Sequence, residues 1–348
     1  MTNYCLRFRQ RPGTENAPSK DCFEYTACEP VCLEGKEGQV LVRTLDLSVD
    51  PALRCRMNED SGVEYMAAWE LDSVVEGMGG LGVVEETLPN SSFSKGDVVM
   101  GSFWPWQLYW LAPEAKLQKV SIPAGLPARI VISCLGLIGL TSLLGLEEKG
   151  NVKEGSVCVV SGAAGACGSL AGQMARLLGA KKVVGICGSA DKGRILTEEL
   201  GFHAAVNYKE ADWTKKLSEA CSEGVDVYFD NVGGSVSDAV IGLMREGSSV
   251  VLCGQISQYN KDVPYPPPIP EATQTILRER HINRERFLVF NYEAKFPAGL
   301  QKLAAWLSSG QLKVKETVRE GLENAGGAFV DMMAGANVGK MIVHVSDL

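Results

Sequence analysis

No block of lysine and arginine occurs in this sequence, and its formal net charge is -8. Proteins that bind nucleic acid neutralise phosphates with a basic patch, so that class is excluded. Histidine is scarce: His203, His281 and His344 are the only three. A catalytic zinc centre needs three protein ligands and a structural one about four. Cys28 and Cys32 lie three intervening residues apart, but no second pair with suitable spacing follows. A bound metal is therefore not expected. The eleven cysteines are an odd number and form no dense framework, which excludes a disulfide-stapled secreted scaffold. Several of them, such as Cys158 and Cys253, sit in apolar runs where a free thiol acts as a small hydrophobe. Continuous apolar stretches read as far short of the roughly 18–20 residues of a membrane span. The first residues, Met1 to Arg7, lack the apolar core of a signal peptide. Repeats and low-complexity tracts are missing too. These absences predict a cytoplasmic protein with no nucleic-acid or membrane partner.

What is present is ordinary globular composition, 45% hydrophobic and 22% charged, over 348 residues. That length favours two domains. Residues 1 to about 125 read as β-rich. Gln39–Val49 partly alternates, as a half-buried strand does, and Leu81–Glu86 and Asp97–Phe103 are further strand candidates. The middle is different. The apolar run Ser156–Ser161 precedes a glycine turn and a helical pattern over Ser169–Leu178 that Gly179 stops. Strand candidates Lys182–Cys187, Ala204–Asn207, Val225–Asp230 and Ser248–Cys253 follow, with a helix-like stretch over Asp191–Leu200. Strands alternating with helices indicate a parallel α/β sheet. Tyr265–Pro270, with three consecutive prolines, predicts a stiff extended loop. Asn291–Ser309 reads as helix, and Met341–Val345 as a strand that returns to the first domain.

The turn Gly162-Ala163-Ala164-Gly165-Ala166-Cys167-Gly168 lies between a strand and a helix. Glycines there let the backbone turn tightly and approach a pyrophosphate, and the helix start offers free N–H groups and a positive dipole end. The spacing is G-x-x-G-x-x-G, a variant of the dinucleotide fingerprint in its proper context. Cofactor choice is made at the end of the next strand. An NAD enzyme places an acid there, whereas an NADP enzyme places basic groups. This strand ends Gly185-Ile186-Cys187-Gly188-Ser189, with no acid, and Lys192 follows shortly. NADPH is the expected cofactor. Asn231, in Asp230-Asn231-Val232-Gly233-Gly234, ends another strand at the same crevice. It suits either a hydrogen bond to ribose or nicotinamide or a plain Asn/Gly turn.

The runs Val160–Ser169, Val225–Gly234 and Leu252–Asn260, with Leu47–Pro51, Arg54–Asp60, Trp104-Pro105-Trp106 and Asp262–Pro268, carry a resemblance over essentially the whole chain. The sequence resembles the zinc-independent medium-chain dehydrogenases/reductases, in the leukotriene B4 12-hydroxydehydrogenase / prostaglandin reductase branch. The resemblance implies an α/β fold in which a Rossmann doubly wound parallel sheet is inserted in a GroES-like β-rich catalytic domain. The catalytic domain would span 1–125, completed by 310–348, and the NADP-binding domain 126–309. It further implies that Ala164, Gly165, Ala166, Cys167 and Gly168 hold the pyrophosphate, and Lys192 and Tyr208 the adenosine phosphate end. Asn231 and the run Cys253, Gly254, Gln255, Ile256, Ser257, Gln258 and Tyr259 would line ribose and nicotinamide. Phe287, Leu288 and Val289 would close over the nicotinamide, with Asn337 reaching it from the terminal segment. Tyr65, Ser102, Phe103 and Tyr259 would contact substrate. Ala52 and Ser102 depart from the aromatic residues common at the family's pocket wall.

The implied reaction is NADPH-dependent reduction of the conjugated C=C bond of 15-oxoprostaglandins and related α,β-unsaturated ketones. Charge would develop on the carbonyl oxygen, so a donor aimed at that atom lowers the barrier most. Tyr259 is the first candidate, with Tyr65 as another. A phenol stays protonated near neutral pH and suits the task. A small lipid enone would be the partner, with no obligate protein partner. A general alkenal or quinone reductase of the same fold, and an NADPH-binding protein without catalysis, are the alternatives.

Overall fold

The computed structural model describes residues 2–62, 66–123, 125–264 and 266–348. Tyr65 and Tyr265 lie outside the described residues.

Two large sheets organise the molecule, and β1 (Asn3–Phe8) and β2 (Phe23–Cys28) form a separate antiparallel pair. The first large sheet holds β3 (Gln39–Val49), β4 (Gly79–Thr87), β5 (Val98–Ser102), β6 (Tyr109–Pro113) and β7 (Leu117–Lys119). The second holds β8 (Val157–Ser161), β9 (Lys182–Cys187), β10 (Ala204–Asn207), β11 (Val225–Asp230), β12 (Met244–Leu252) and β13 (Asn283–Arg286). The chain then returns through β14 (Glu316–Glu320) and β15 (Lys340–His344). The β-rich sheet runs β14-β15-β3-β4-β5-β7, with β6 also on β3. The expected return of the terminal strand is observed: β15 pairs antiparallel with β3, Met341 opposite Val49. β14 was not anticipated, because its residues Glu-Thr-Val-Arg-Glu are mostly polar and show no apolar run.

The second sheet is parallel throughout, in the order β10-β9-β8-β11-β12-β13. Successive strands step one way from β8 and then the other way from β11. The reversal opens a crevice at the carboxyl ends of β8 and β11, where open α/β sheets bind ligands. The central strands β8, β9 and β11 are mostly apolar because helices cover both faces. Val157, Val159, Val160, Val183, Val184 and Phe229 are fully buried.

Four local expectations change. The helix after the turn begins at Ala166, not Ser169, so its first turn includes Cys167 and Gly168. Asp191–Leu200 splits into helix Ala190–Arg194 and a wider turn Ile195–Glu199. Asn291–Ser309 is helical from Phe296 to Ser308 only. Pro297 fits the first turn of a helix, and the preceding Val289–Lys295 is a tighter turn broken at Tyr292. The fourth concerns Ile130–Gly150, 21 residues that match the length and composition of a membrane span. The expectation that apolar stretches are far too short therefore does not hold. In the fold this segment is broken near Gly136 and mostly buried, with Ile130, Leu140, Leu143 and Leu146 packed among Phe229, Val251 and Leu303.

Candidate active site

The glycine turn is built by close approach. Gly162 has φ +57°, and a Cβ on Gly168 would stand 2.3 Å from the Gly162 carbonyl oxygen. Only glycine fits there. The turn is pinned at both ends, since Ala163 N donates to Ile186 O (3.0 Å) and Gly165 N to Gly162 O (2.9 Å). The helix that follows has Gly165 as its N-cap, with no side-chain cap. Its first N–H groups, on Ala166, Cys167 and Gly168, lack intrahelical acceptors and suit an anion.

The buried carboxylate of Asp230 holds the neighbouring strand end. It accepts hydrogen bonds from Tyr228 Oη (2.8 Å), Ser161 Oγ (3.1 Å) and the N–H groups of Val232 (3.0 Å) and Gly233 (2.9 Å), and also from Ser237. Asn231 donates from Nδ2 to Ser161 O at 2.7 Å. Asn231 thus ties the end of β11 to the end of β8, and it also lines the crevice.

A cavity of about 1400 Å³ runs along this crevice and between the two sheets. The whole run Ala164–Gly168 lines it, with Lys192, Tyr208, Asn231, Cys253, Gly254, Ile256, Ser257, Tyr259, Leu288, Val289, Asn337 and Ser102. The structure therefore brings together most of the expected residues. Four it does not place on the wall. Gln255 is buried and stands against Gly233. Gln258 turns toward Gly234 and donates to Ser257 Oγ (2.7 Å). Phe287 is buried and stacks on Tyr292. Phe103, with φ +55°, packs on Cys55 and Met66, and the Arg56 guanidinium lies over its ring. Its neighbour Ser102 lines the cavity.

The phosphate corner contains two cations. Lys192 Nζ donates to Gly335 O at 2.7 Å. Ser189 caps the local helix by accepting from Lys192 N (3.2 Å). Burial pulls the Lys192 ammonium below the usual lysine range; the Cys187 thiol opposes this, and the nearby Lys209 adds to it. Lys209 lines the same wall and was missed on sequence, since a lone lysine carries no distinguishing pattern. Two crowded ammonium groups, with no acid at the end of β9, fit a 2′-phosphate.

At the other end, the Tyr259 hydroxyl folds back over the loop after β12. It accepts a hydrogen bond from Gln255 N at 3.3 Å and would stand 3.2 Å from a Cβ on Gly254. A donor to the phenol oxygen strengthens the phenol as a proton donor. A second feature missed on sequence faces this region. Lys340 is 2% exposed, and its ammonium donates to Asp50 Oδ1 (2.6 Å) and Val49 O (2.7 Å). Ser48 Oγ donates to the other Asp50 oxygen (2.6 Å). All four residues line the cavity. Lys340 reaches it because Gly339 N donates to Ala164 O (2.7 Å), stitching β15 to the glycine turn. Among the described residues, no group of three or more His, Cys, Asp and Glu could hold a metal.

Comparison with known proteins agrees with this geometry. Residues 166–305 match the family model described as zinc-binding dehydrogenase, and residues 5–120 that described as N-terminal domain of oxidoreductase. The chain is 42% identical to the oxidoreductase YfmJ of Bacillus subtilis over 90% of each chain. It is 36% identical to prostaglandin reductase 1 of Bos taurus over 94% of each. It is 34% identical to the NADPH-dependent curcumin reductase of Escherichia coli, over 89% of this chain and 88% of that protein. Among solved structures, CurA of Vibrio vulnificus in complex with NADPH superposes with a TM-score of 0.90 at 31% identity, covering 99% of this chain and 100% of the other.

Proposed function

From the premise that the chain belongs to the medium-chain dehydrogenase/reductase family, among its NADP-dependent oxidoreductases, we propose that it reduces the conjugated C=C bond of α,β-unsaturated ketones. In its finer form the proposal is 15-oxoprostaglandin 13-reductase activity in the cytoplasm, on a small lipid enone. The observation that carries it is the Tyr259 hydroxyl, held by Gln255 N on the wall of the cavity that the glycine turn also lines.

NADPH, when bound, supplies a hydride for the β-carbon. The chain's part is to bind, orient and exclude water. The N–H groups of Ala166, Cys167 and Gly168 take the pyrophosphate, and Lys192 with Lys209 takes the 2′-phosphate. Tyr259 donates its proton toward the substrate carbonyl oxygen as enolate charge develops there. Solvent then protonates the α-carbon. Apolar side chains such as Met100, Leu135 and Leu288 line the cavity and keep that donor strong by excluding water. The small residues Ala52 and Ser102 on the wall favour a second, broader reading as a general alkenal or quinone reductase.

The test is consumption of NADPH by the purified protein with 15-oxo-prostaglandin E2, followed by its near-ultraviolet absorbance. No fall in absorbance with any enone or quinone rejects the enzymatic reading. Comparable kcat/KM on short alkenals and on 15-oxoprostaglandins rejects the prostanoid form and leaves the broader reductase.

A further inference from the structure

The short helix Leu53–Arg56 carries two buried arginines with different attachments. Arg56 stays within the β-rich part. It donates to Ala67 O (2.8 Å) and Glu76 O (3.0 Å) and pairs with the Glu76 carboxylate (2.9 Å). Arg54 is fully buried and joins separate segments. Its Nη2 donates to Gly13 O (2.6 Å) and Asn16 O (3.0 Å), its Nη1 to Asn58 Oδ1 (2.8 Å), and its Nε to Asn260 Oδ1 (2.8 Å). These four acceptors are all neutral oxygens. Burying a charge among neutral acceptors is costly, and an apolar side chain would serve packing alone at less cost. What an apolar residue cannot supply is the rigid fork of donors.

Asn260 is where that fork leaves the β-rich part. It follows Tyr259 in the loop after β12, 206 positions from Arg54, and it lines the cavity. The start of this loop is tied to the end of β11, since Ile256 N donates to Asn231 O (3.2 Å) and Ser257 N to Val232 O (3.1 Å). Its end is tied to Arg54. Tyr259 lies between the two anchors, and its side chain packs with Cys55 and Met66 in a cluster that includes Ala52. The short helix thus holds the tyrosine twice, through Cys55 against its side chain and through Arg54 on the next residue.

We propose that Arg54 is a positioning residue for Tyr259, acting through Asn260 across the boundary between the β-rich part and the parallel sheet. The parallel sheet supplies the loop and the cofactor crevice; the β-rich part supplies Ala52 and Ser102 on the cavity wall. The Arg54–Asn260 bond sets the phenol of one against the wall of the other. A donor displaced by about 1 Å from the reacting oxygen can lose about 10²-fold in rate, so this alignment bears on kcat and not on cofactor binding. The proposal rests on the reading of Tyr259 as the proton donor to the enolate oxygen.

The experiment compares Arg54→Lys, which keeps the charge but loses the fork, with Asn260→Ala, which breaks the same bond from the loop side and leaves the buried charge in place. Turnover of 15-oxo-prostaglandin E2 and of 1-octen-3-one with NADPH is measured in the whole protein. Each variant should lower kcat about ten- to hundred-fold and leave the dissociation constant of NADPH unchanged. In a Tyr259→Phe background neither should lower kcat further, because the group they align is gone. A merely structural role would multiply the losses in both backgrounds. Residue-resolved hydrogen exchange gives a second readout that needs no turnover. The Gln255 amide, held by Tyr259 Oη, should exchange faster in both variants, while those of Ile256 and Ser257, tied to β11, should not change. Wild-type kcat in Asn260→Ala, equal losses with and without Tyr259, or unchanged exchange at Gln255 would each overturn the proposal. If Tyr259→Phe alone keeps wild-type kcat, or the wild type turns over no enone, the Tyr259 reading falls, and the exchange at Gln255 then decides by itself whether Arg54 holds the loop.

Discussion

Tyr259 and Lys192 show how single side chains acquire a task from what surrounds them. The Tyr259 oxygen already accepts one hydrogen bond, from Gln255 N, so its O–H bond is the more polarised. Tyr259→Phe removes a donor whose benefit is realised only as charge develops. We expect kcat to fall about 10²- to 10³-fold, with the dissociation constant of NADPH little changed. Wild-type kcat in that variant would end the role. Lys192 is a cation held at a cost, being partly desolvated and crowded by Lys209. A 2′-phosphate relieves both penalties and NADH offers none. Lys192→Ala should therefore raise KM for NADPH roughly ten- to hundred-fold, the loss of a charge-assisted hydrogen bond. KM for NADH should stay near its original value, and equal changes for both cofactors would remove the assignment.

At the scale of elements, the glycine turn is a packing solution before it is a binding site. Gly168 stands so close to Gly162 O that any side chain must push the helix start off the strand end. Gly168→Ala is predicted to destabilise the fold by about 1–3 kcal/mol through overpacking. It should also weaken NADPH binding more than stability, because the displaced helix start carries the anion-facing N–H groups. Thermal unfolding and cofactor titration of the same variant check the two effects, and unaltered NADPH affinity contradicts the assignment. The turn was readable in the sequence because strand, turn and helix are contiguous and glycine has few other reasons to recur at that spacing. Lys182–Cys187, Ala204–Asn207 and Val225–Asp230 were readable for the same reason: buried parallel strands are short apolar runs that need no partner to be recognised. β14 was not readable, since its strand character comes from lying along β15 and not from its own residues. Phe103 likewise hides its direction, because a left-handed backbone at a non-glycine residue is imposed by its surroundings.

The whole molecule closes at one point, where β15 leaves the glycine turn and enters the β-rich sheet. Lys340 and Asp50 meet there across 290 positions of sequence, both buried, and with Ser48 they bind the last strand, the end of β3 and the cofactor turn together. Residues so far apart share no local pattern, and that is why this pair escaped the sequence reading although each half stands beside a recognised segment. A buried ion pair adds little net stability compared with an apolar pair, but removing one partner strands the other charge. Lys340→Met should therefore cost about 3–5 kcal/mol in urea-induced unfolding, and Asp50→Leu a similar amount. The double variant should recover most of that loss, because neither charge is then left unpaired. A pair that served only as an independent surface contact would give small, additive effects. If both single variants unfold at the wild-type urea midpoint, the seam is held by apolar packing of β15 on β3 alone, and the cavity wall does not depend on the pair.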